Sequence, residues 1–373
     1  MRKTIQISSF QMIAIMFNFL LGWPIIYGIT KESEQNAWIA ILTLTFCGII
    51  QFLFYYFLFC KRDSKTFIEV IQYSFGKYLG MIVSYIYIFY FVYITAITVS
   101  DYAFLIRSTL LLHKSYLILS LTFLVVLLFA CYVGLEAFAR TSELLFFVFL
   151  GFLFLSIFLA IINKQIDITN TLPIYDVGKS IKSIFPVSIT IPFGELMVLS
   201  TLFSHIKKKE SFPIKGVISI FLLGCMAAFV TFIIIGMIGP QLLRDSNYPI
   251  IEALKKIYIL DIIQRFDVAG VIIFMICGFI KAGVYLIAAS TSLLNLHPKI
   301  SITPILICFG IIILSITLYM TKDYPRFAII SVKKNPYLLH LPLQIFVPVL
   351  IAIILFVKKL LRNQSKKRNL NTA

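Results

Sequence analysis

Ten apolar runs, each of about 18 residues or more once interruptions at glycine and proline are allowed, leave this chain little choice of fold. They lie near residues 8–30, 37–60, 79–106, 115–135, 138–162, 181–205, 213–239, 268–296, 302–320 and 337–361. Runs of that length cross a hydrocarbon core about 30 Å thick, where every backbone N–H and C=O must find its partner within the protein. A single apolar run meets that demand as a helix. The sequence therefore predicts an all-α polytopic membrane protein, with ten transmembrane helices in a single domain over 1–373. Composition agrees, since 60% of the 373 residues are hydrophobic and 13% are charged.

The net charge of +17 could suggest a nucleic-acid partner, but the basic residues sit in short connectors and in the tail 362–373 rather than in one stripe. They fit the surface of a lipid bilayer, and no nucleic-acid partner is expected. Lys207-Lys208-Lys209 and the basic tail fall on one side of the predicted topology, which places both termini inside. Arg2 and Lys3 precede the first apolar run, as in a signal peptide. No small-residue cleavage site follows, so the first helix is expected to be retained. The six cysteines fall singly in or beside apolar runs and read as packing residues. The four histidines (His113, His205, His297, His340) show no metal spacing, and no phosphate loop or nucleophile elbow is present. Neither an enzyme nor a metal or cofactor site is expected.

Two spans carry helix-breaking residues. The sixth contains Pro186, Pro192 and Gly194, followed at once by Glu195; each proline removes a backbone donor, so the helix should break near 191–195. The first contains Gly22-Trp23-Pro24, where Pro24 could open a short half-helix after an unwound turn. Broken helices five spans apart are the pattern of 5+5 inverted-repeat, LeuT-like transporters. The predicted repeats are about 1–165 and about 178–361, with the basic cytoplasmic tail 362–373 beyond. Irregular backbone at membrane depth survives only against protein or a water-filled cavity, so the breaks are the first candidates for a binding site.

Charged groups at depth point the same way. Glu195 lies mid-span in the sixth run and Lys281 in the eighth, and each costs roughly 2.5–3.5 kcal/mol to insert unpaired. Their similar depth suggests an ion pair. Glu195 has two further readings, as a cap on the free N–H groups of the half-helix after the break or as a partner for a substrate amine or proton. Ser290, Thr291 and Ser292 are either a packing surface or, with unwound carbonyls of the first span, a sodium site. The third span is rich in tyrosine, including Tyr93, and ends with Asp101 and Arg107 near the outer surface, each expected to have other partners. An amphipathic helix is predicted after Tyr248-Pro249, and another in the connector 61–77.

Taken in order, Ile7-Ser-Ser-Phe-Gln11, Gly22, Asn36-Ala-Trp-Ile-Ala40, Phe193-Gly-Glu-Leu-Met197, Tyr248-Pro249, Arg265-Phe-Asp267 and Gly278-Phe-Ile-Lys281 resemble the GerAB-type spore germination permeases. These are the B subunits of nutrient-germinant receptors, within the amino acid, polyamine and organocation transporter superfamily. The resemblance spans nearly the whole chain. It implies residence in the spore inner membrane, assembly with receptor A and C subunits, and the sensing of a small nutrient such as an amino acid. The expected ligand-binding residues are Gly22, Trp23, Pro24, Tyr93, Phe193, Gly194, Glu195, Lys281 and Thr291. A ligand carboxylate would meet free N–H groups near Pro24, and its amine the carbonyls of the sixth-span break. An ion-coupled amino-acid permease and a structural scaffold subunit are the alternatives.

Overall fold

The computed structural model describes residues 6–59, 66–172, 189–207, 209–257 and 265–371. Among them, nine helical segments are long and apolar enough to cross a membrane. The expected tenth crossing, 181–205, is described from residue 189 onward; its first part, with Pro186, lies outside the described residues.

Helix α1 (Ser9–Tyr27) starts at a capping box, in which Ser8 Oγ accepts from the Gln11 N–H (3.0 Å) and Gln11 Oε1 accepts from the Ser8 N–H (2.9 Å). It stops at Gly28, whose φ of 64° suits glycine. After α2 (Ala37–Phe59), the expected amphipathic connector appears as α3 (Phe67–Phe75), with Phe67, Ile68, Val70 and Ile71 buried. Helices α4 (Lys77–Thr109), α5 (Tyr116–Val133) and α6 (Leu135–Ile162) complete the first half. In the second half, α7 (Phe212–Asp245) bends at Gly239, where φ is 79°, just before Pro240. The helix predicted after Tyr248-Pro249 is α8 (Pro249–Lys255). It is more than an interfacial cover, because Ile250, Ile251, Ala253 and Leu254 are buried against α1, α7 and α9.

Helices α9 (Phe266–Leu296) and α10 (Ile302–Met320) follow. The last run opens earlier than residue 337. It passes from α11 (Tyr324–Ala328) through two π-helical stretches, Ile329–Lys334 and Pro336–Phe346, into α12 (Val347–Asn371). Pro348 explains part of this irregularity. Its missing N–H would have served the Gln344 carbonyl in α register or the Leu343 carbonyl in π register. Tyrosine hydroxyls take over: Tyr55 donates to Gln344 O and Tyr87 to Leu343 O, both at 2.7 Å.

Three helices form the centre, with α9 packed along both α4 and α1. They are largely buried within the protein, whereas α5, α6 and α10 turn most of their surface outward. Close approach depends on small residues. A Cβ on Gly224 or Gly216 of α7 would collide with Thr45 or Phe52 of α2. The start of α1 is tied to the end of the sixth segment, since the Ile7 N–H donates to His205 O and the Lys207 N–H to Ile7 O, each at 2.9 Å. The tie is a single parallel bridge between Ile7 and Ile206.

Candidate functional site

The sixth segment is irregular where the prolines and glycine place it. A 3₁₀ turn, Phe193–Glu195, leads into a single helical turn, Leu196–Leu199, and a second 3₁₀ turn, Phe203–His205. Its backbone bonds are mostly of the tighter i→i+3 kind, as in Glu195 N–H to Pro192 O (3.2 Å) and Leu202 N–H to Leu199 O (2.9 Å). The residues from Thr190 to Phe203 are buried in the protein, which is where such backbone is tolerated. Gly194 is required by space, because a Cβ there would collide with Oε1 of Gln344, and Phe193 packs against Gly48 of α2.

Glu195 does not cap the helical turn after it; neither short helix has a side-chain cap. Its carboxylate is taken by α9 instead. Lys281 Nζ lies 2.8 Å from Oε2, and the Tyr285 hydroxyl donates to Oε1 at 3.1 Å. Lys281 and Tyr285 are four residues apart and share a helix face, so one face of α9 supplies both partners. The lysine and glutamate side chains are 8% and 2% exposed, so the expected ion pair is present and buried within the protein. The ammonium also lies 5.5 Å from the centre of the Trp23 ring and 6.0 Å from that of Phe19, within cation–π range.

The first-span expectation needs correction. α1 runs unbroken through Gly22-Trp23-Pro24, with Pro24 inside it. A single proline near a helix end removes one bond and leaves the remaining turn intact, so no free N–H groups gather at Pro24. Gly22 serves close packing instead, since a Cβ there would collide with Cys277 of α9. With no unwound carbonyls at that position, the sodium-site reading loses its second half. The Ser290 and Thr291 hydroxyls bond back to Leu286 O and Ile287 O of their own helix, both at 2.7 Å. Among the described residues, no group of three His, Cys, Asp or Glu could hold a metal ion.

A chamber of ≈ 40 Å³ lies against this ion pair, with Trp23, Tyr27, Asp101, Cys277 and Lys281 in its wall. A larger vestibule of ≈ 430 Å³ opens above it, toward the α1–α2 connection, and shares Trp23, Tyr27 and Asp101 with the chamber. Those three residues form the partition. The Tyr27 hydroxyl donates to Asp101 Oδ1 at 2.8 Å and latches α1 to α4, while the Tyr27 ring packs at a tilt between Trp23 (4.9 Å) and Tyr248 (5.4 Å). Trp23 and Lys281 are thus brought together with Glu195, Gly194 and Phe193. Tyr93 and Thr291 are not part of this chamber; the Tyr93 hydroxyl donates to Asn335 Oδ1 at 3.1 Å. Sequence reasoning missed Tyr27 and Tyr285, each four residues beyond a predicted site residue. It also set Asp101 apart as a surface group.

Comparison with known proteins fits this architecture. The family model described as "Spore germination protein" matches residues 6–325. Spore germination protein KB of Bacillus subtilis (strain 168) is 26% identical over 97% of this chain and 97% of its own length. Spore germination protein A2 of the same organism is 23% identical over 90% of this chain and 94% of its own. Among solved structures, MhsT in complex with L-phenylalanine superposes with a TM-score of 0.62 at 13% identity, covering 95% of this chain and 99% of MhsT. Mhp1, a nucleobase-cation-symport-1 family transporter with bromovinylhydantoin bound, gives 0.62 at 12% identity, covering 86% and 73%. The fold is that of the LeuT-like transporters.

Proposed function

The chain belongs to the spore germination protein family, and from that premise we propose that it is the germinant-sensing membrane subunit of a spore nutrient receptor. In this reading it lies in the spore inner membrane with both termini inside, beside receptor A and C subunits, and the vestibule faces outward. The ligand is a small zwitterion, most simply an amino acid. The observation that carries this is the chamber itself, which offers the Asp101 carboxylate and the Lys281 ammonium across one small space. An α-ammonium group would meet Asp101 and an α-carboxylate would meet Lys281, so the ligand would enter the polar pairs on either side. This replaces the expectation of free N–H groups at Pro24. That MhsT, which shares the fold, is seen with L-phenylalanine supports the choice of ligand class.

The chamber, at ≈ 40 Å³, has room for on the order of three water molecules. A nutrient therefore has to part the Tyr27–Asp101 latch, and the parted and latched states are the two states that a sensor needs. The test is a thermal-shift panel of amino acids, sugars and nucleosides on the purified chain, with and without sodium, for the wild type and Asp101→Asn. Stabilisation by one or a few amino acids that Asp101→Asn abolishes is the expected result. Stabilisation by a sugar or nucleoside that survives the substitution would remove this site. Sodium-dependent accumulation of the same amino acid by liposomes carrying the chain alone would instead favour the permease reading.

A further inference from the structure

A second pocket, of ≈ 530 Å³, lies on the same face as the vestibule and beside it, built from the ends of α4 and α5, the α7–α8 turn and the α10–α11 turn. Two cations line it, Arg107 and Lys322, together with the hydroxyls of Ser108, Thr321, Tyr248 and Tyr324 and the amide of Asn247. No acidic residue is among the lining residues. The neighbouring acid, Asp323, is used as the N-cap of α11, accepting from the Arg326 N–H. Half-buried Arg107 and exposed Lys322 therefore leave positive charge facing the pocket with no acid in its lining.

Its chemistry suits an organic anion. The guanidinium of Arg107 lies 4.1 Å from the centre of the Tyr116 ring, a cation–π contact that anchors a group suited to gripping two oxygens. Burial pushes the Tyr248 phenol above its ordinary value, and its hydroxyl is bonded with Tyr324 and Ser108 in the pocket wall. Phe104, Leu112 and Tyr116 make the remaining wall apolar, which an inorganic ion would not use. We propose that this pocket is a second ligand site, taking a small carboxylate with an apolar body between Arg107 and Lys322. It is separate from the central chamber, sharing none of its lining residues. Tyr248 nevertheless packs against the Tyr27 ring, so an occupant would sit one ring away from the latch and act as a co-ligand rather than a competitor.

The experiment uses the full chain in nanodiscs of phosphatidylcholine alone and follows its melting temperature with benzoate, with neutral benzamide and with inorganic phosphate. Benzoate should stabilise in a saturable way and benzamide should not. R107Q/K322Q should weaken benzoate binding by at least about tenfold; the single exposed-site variant K322Q gives an intermediate loss and guards against misfolding of the pair. The double variant E195Q/K281M, which alters only the central ion pair, should bind benzoate as the wild type does. Equal binding of benzamide, binding that survives R107Q/K322Q, or binding abolished by E195Q/K281M would each overturn the proposal. So would a site that ignores benzoate and responds only when phosphatidylglycerol is added to the nanodisc, which would make it a lipid headgroup site.

Discussion

The Glu195–Lys281 pair yields the sharpest test, because its two halves should not cost the same to remove. Breaking a buried pair by neutralising one partner costs about 3–5 kcal/mol, since the other charge is left desolvated without a counter-ion. Which end of that range applies depends on what surrounds the survivor. In Glu195→Gln the survivor is Lys281, 8% exposed, at the wall of a chamber that also contains Asp101, with Trp23 and Phe19 rings in cation–π range. In Lys281→Met the survivor is Glu195, 2% exposed, left with the single Tyr285 hydroxyl. Glu195→Gln should therefore destabilise by about 3 kcal/mol and Lys281→Met by about 5. The double variant keeps the volume and removes both charges, so it should fall within about 1 kcal/mol of wild type. The coupling energy then comes to about 7 kcal/mol, well above the usual range of about 0.5–3 kcal/mol for contacting residues. Equilibrium unfolding of the purified chain in mixed micelles measures all four corners of the cycle. Additive losses, or a glutamine variant weaker than the methionine one, would refute the reasoning.

Two further outcomes follow from the packing around the chamber. Gly22→Ala should cost about 1–3 kcal/mol by forcing α1 away from α9, and Cys277→Gly should restore most of that loss; unchanged stability of the single variant would mean that the helices are not in such close contact. In a chain whose only cysteine is Cys277, which is 1% exposed, Tyr27→Ala should raise the rate of maleimide labelling about tenfold by opening the partition between vestibule and chamber. An unaltered rate would place the route to the chamber elsewhere.

Much of this fold could be read from one physical rule, that a membrane span must satisfy its own backbone. Length alone located the spans, and the insertion cost of a mid-span charge was enough to bring Glu195 and Lys281 together. Glycine and proline were legible only as exceptions, not as roles. Pro192 and Gly194 do disrupt the sixth segment, whereas Gly22 and Pro24 sit in intact helix, and the difference lies in what surrounds them. Gly22 faces Cys277 at close range, a fact about α9 that no reading of α1 contains. Asp101 was hidden for a related reason. Its hydrogen bonds go not to Arg107 but to the Tyr27 phenol and the Trp23 side chain of another helix, and tyrosines are too frequent in this chain for one to stand out. The second π-helical stretch is supported by Pro348 together with hydroxyl donors far away in sequence, a combination visible only once α2 and α4 are in place.

The two irregular segments are also mechanically joined, which bears on how a change at the ion pair would travel. Tyr285, which holds Glu195, packs edge to face with Tyr90 at 6.5 Å. The Tyr90 hydroxyl meets His340 Nδ1 at 2.6 Å and accepts from Gln344 Nε2 at 2.9 Å, both residues of the second π-helical stretch. Gln344 in turn fills the space that a side chain at Gly194 would occupy, directly beside Glu195. Close-packed interiors transmit displacement rather than absorb it. A shift of the backbone at Gly194, with Oε1 of Gln344 against it, would press on the π-helical stretch and its tyrosine partners. A change at the Glu195–Lys281 pair would therefore bear on the last helical run as well as on its own surroundings.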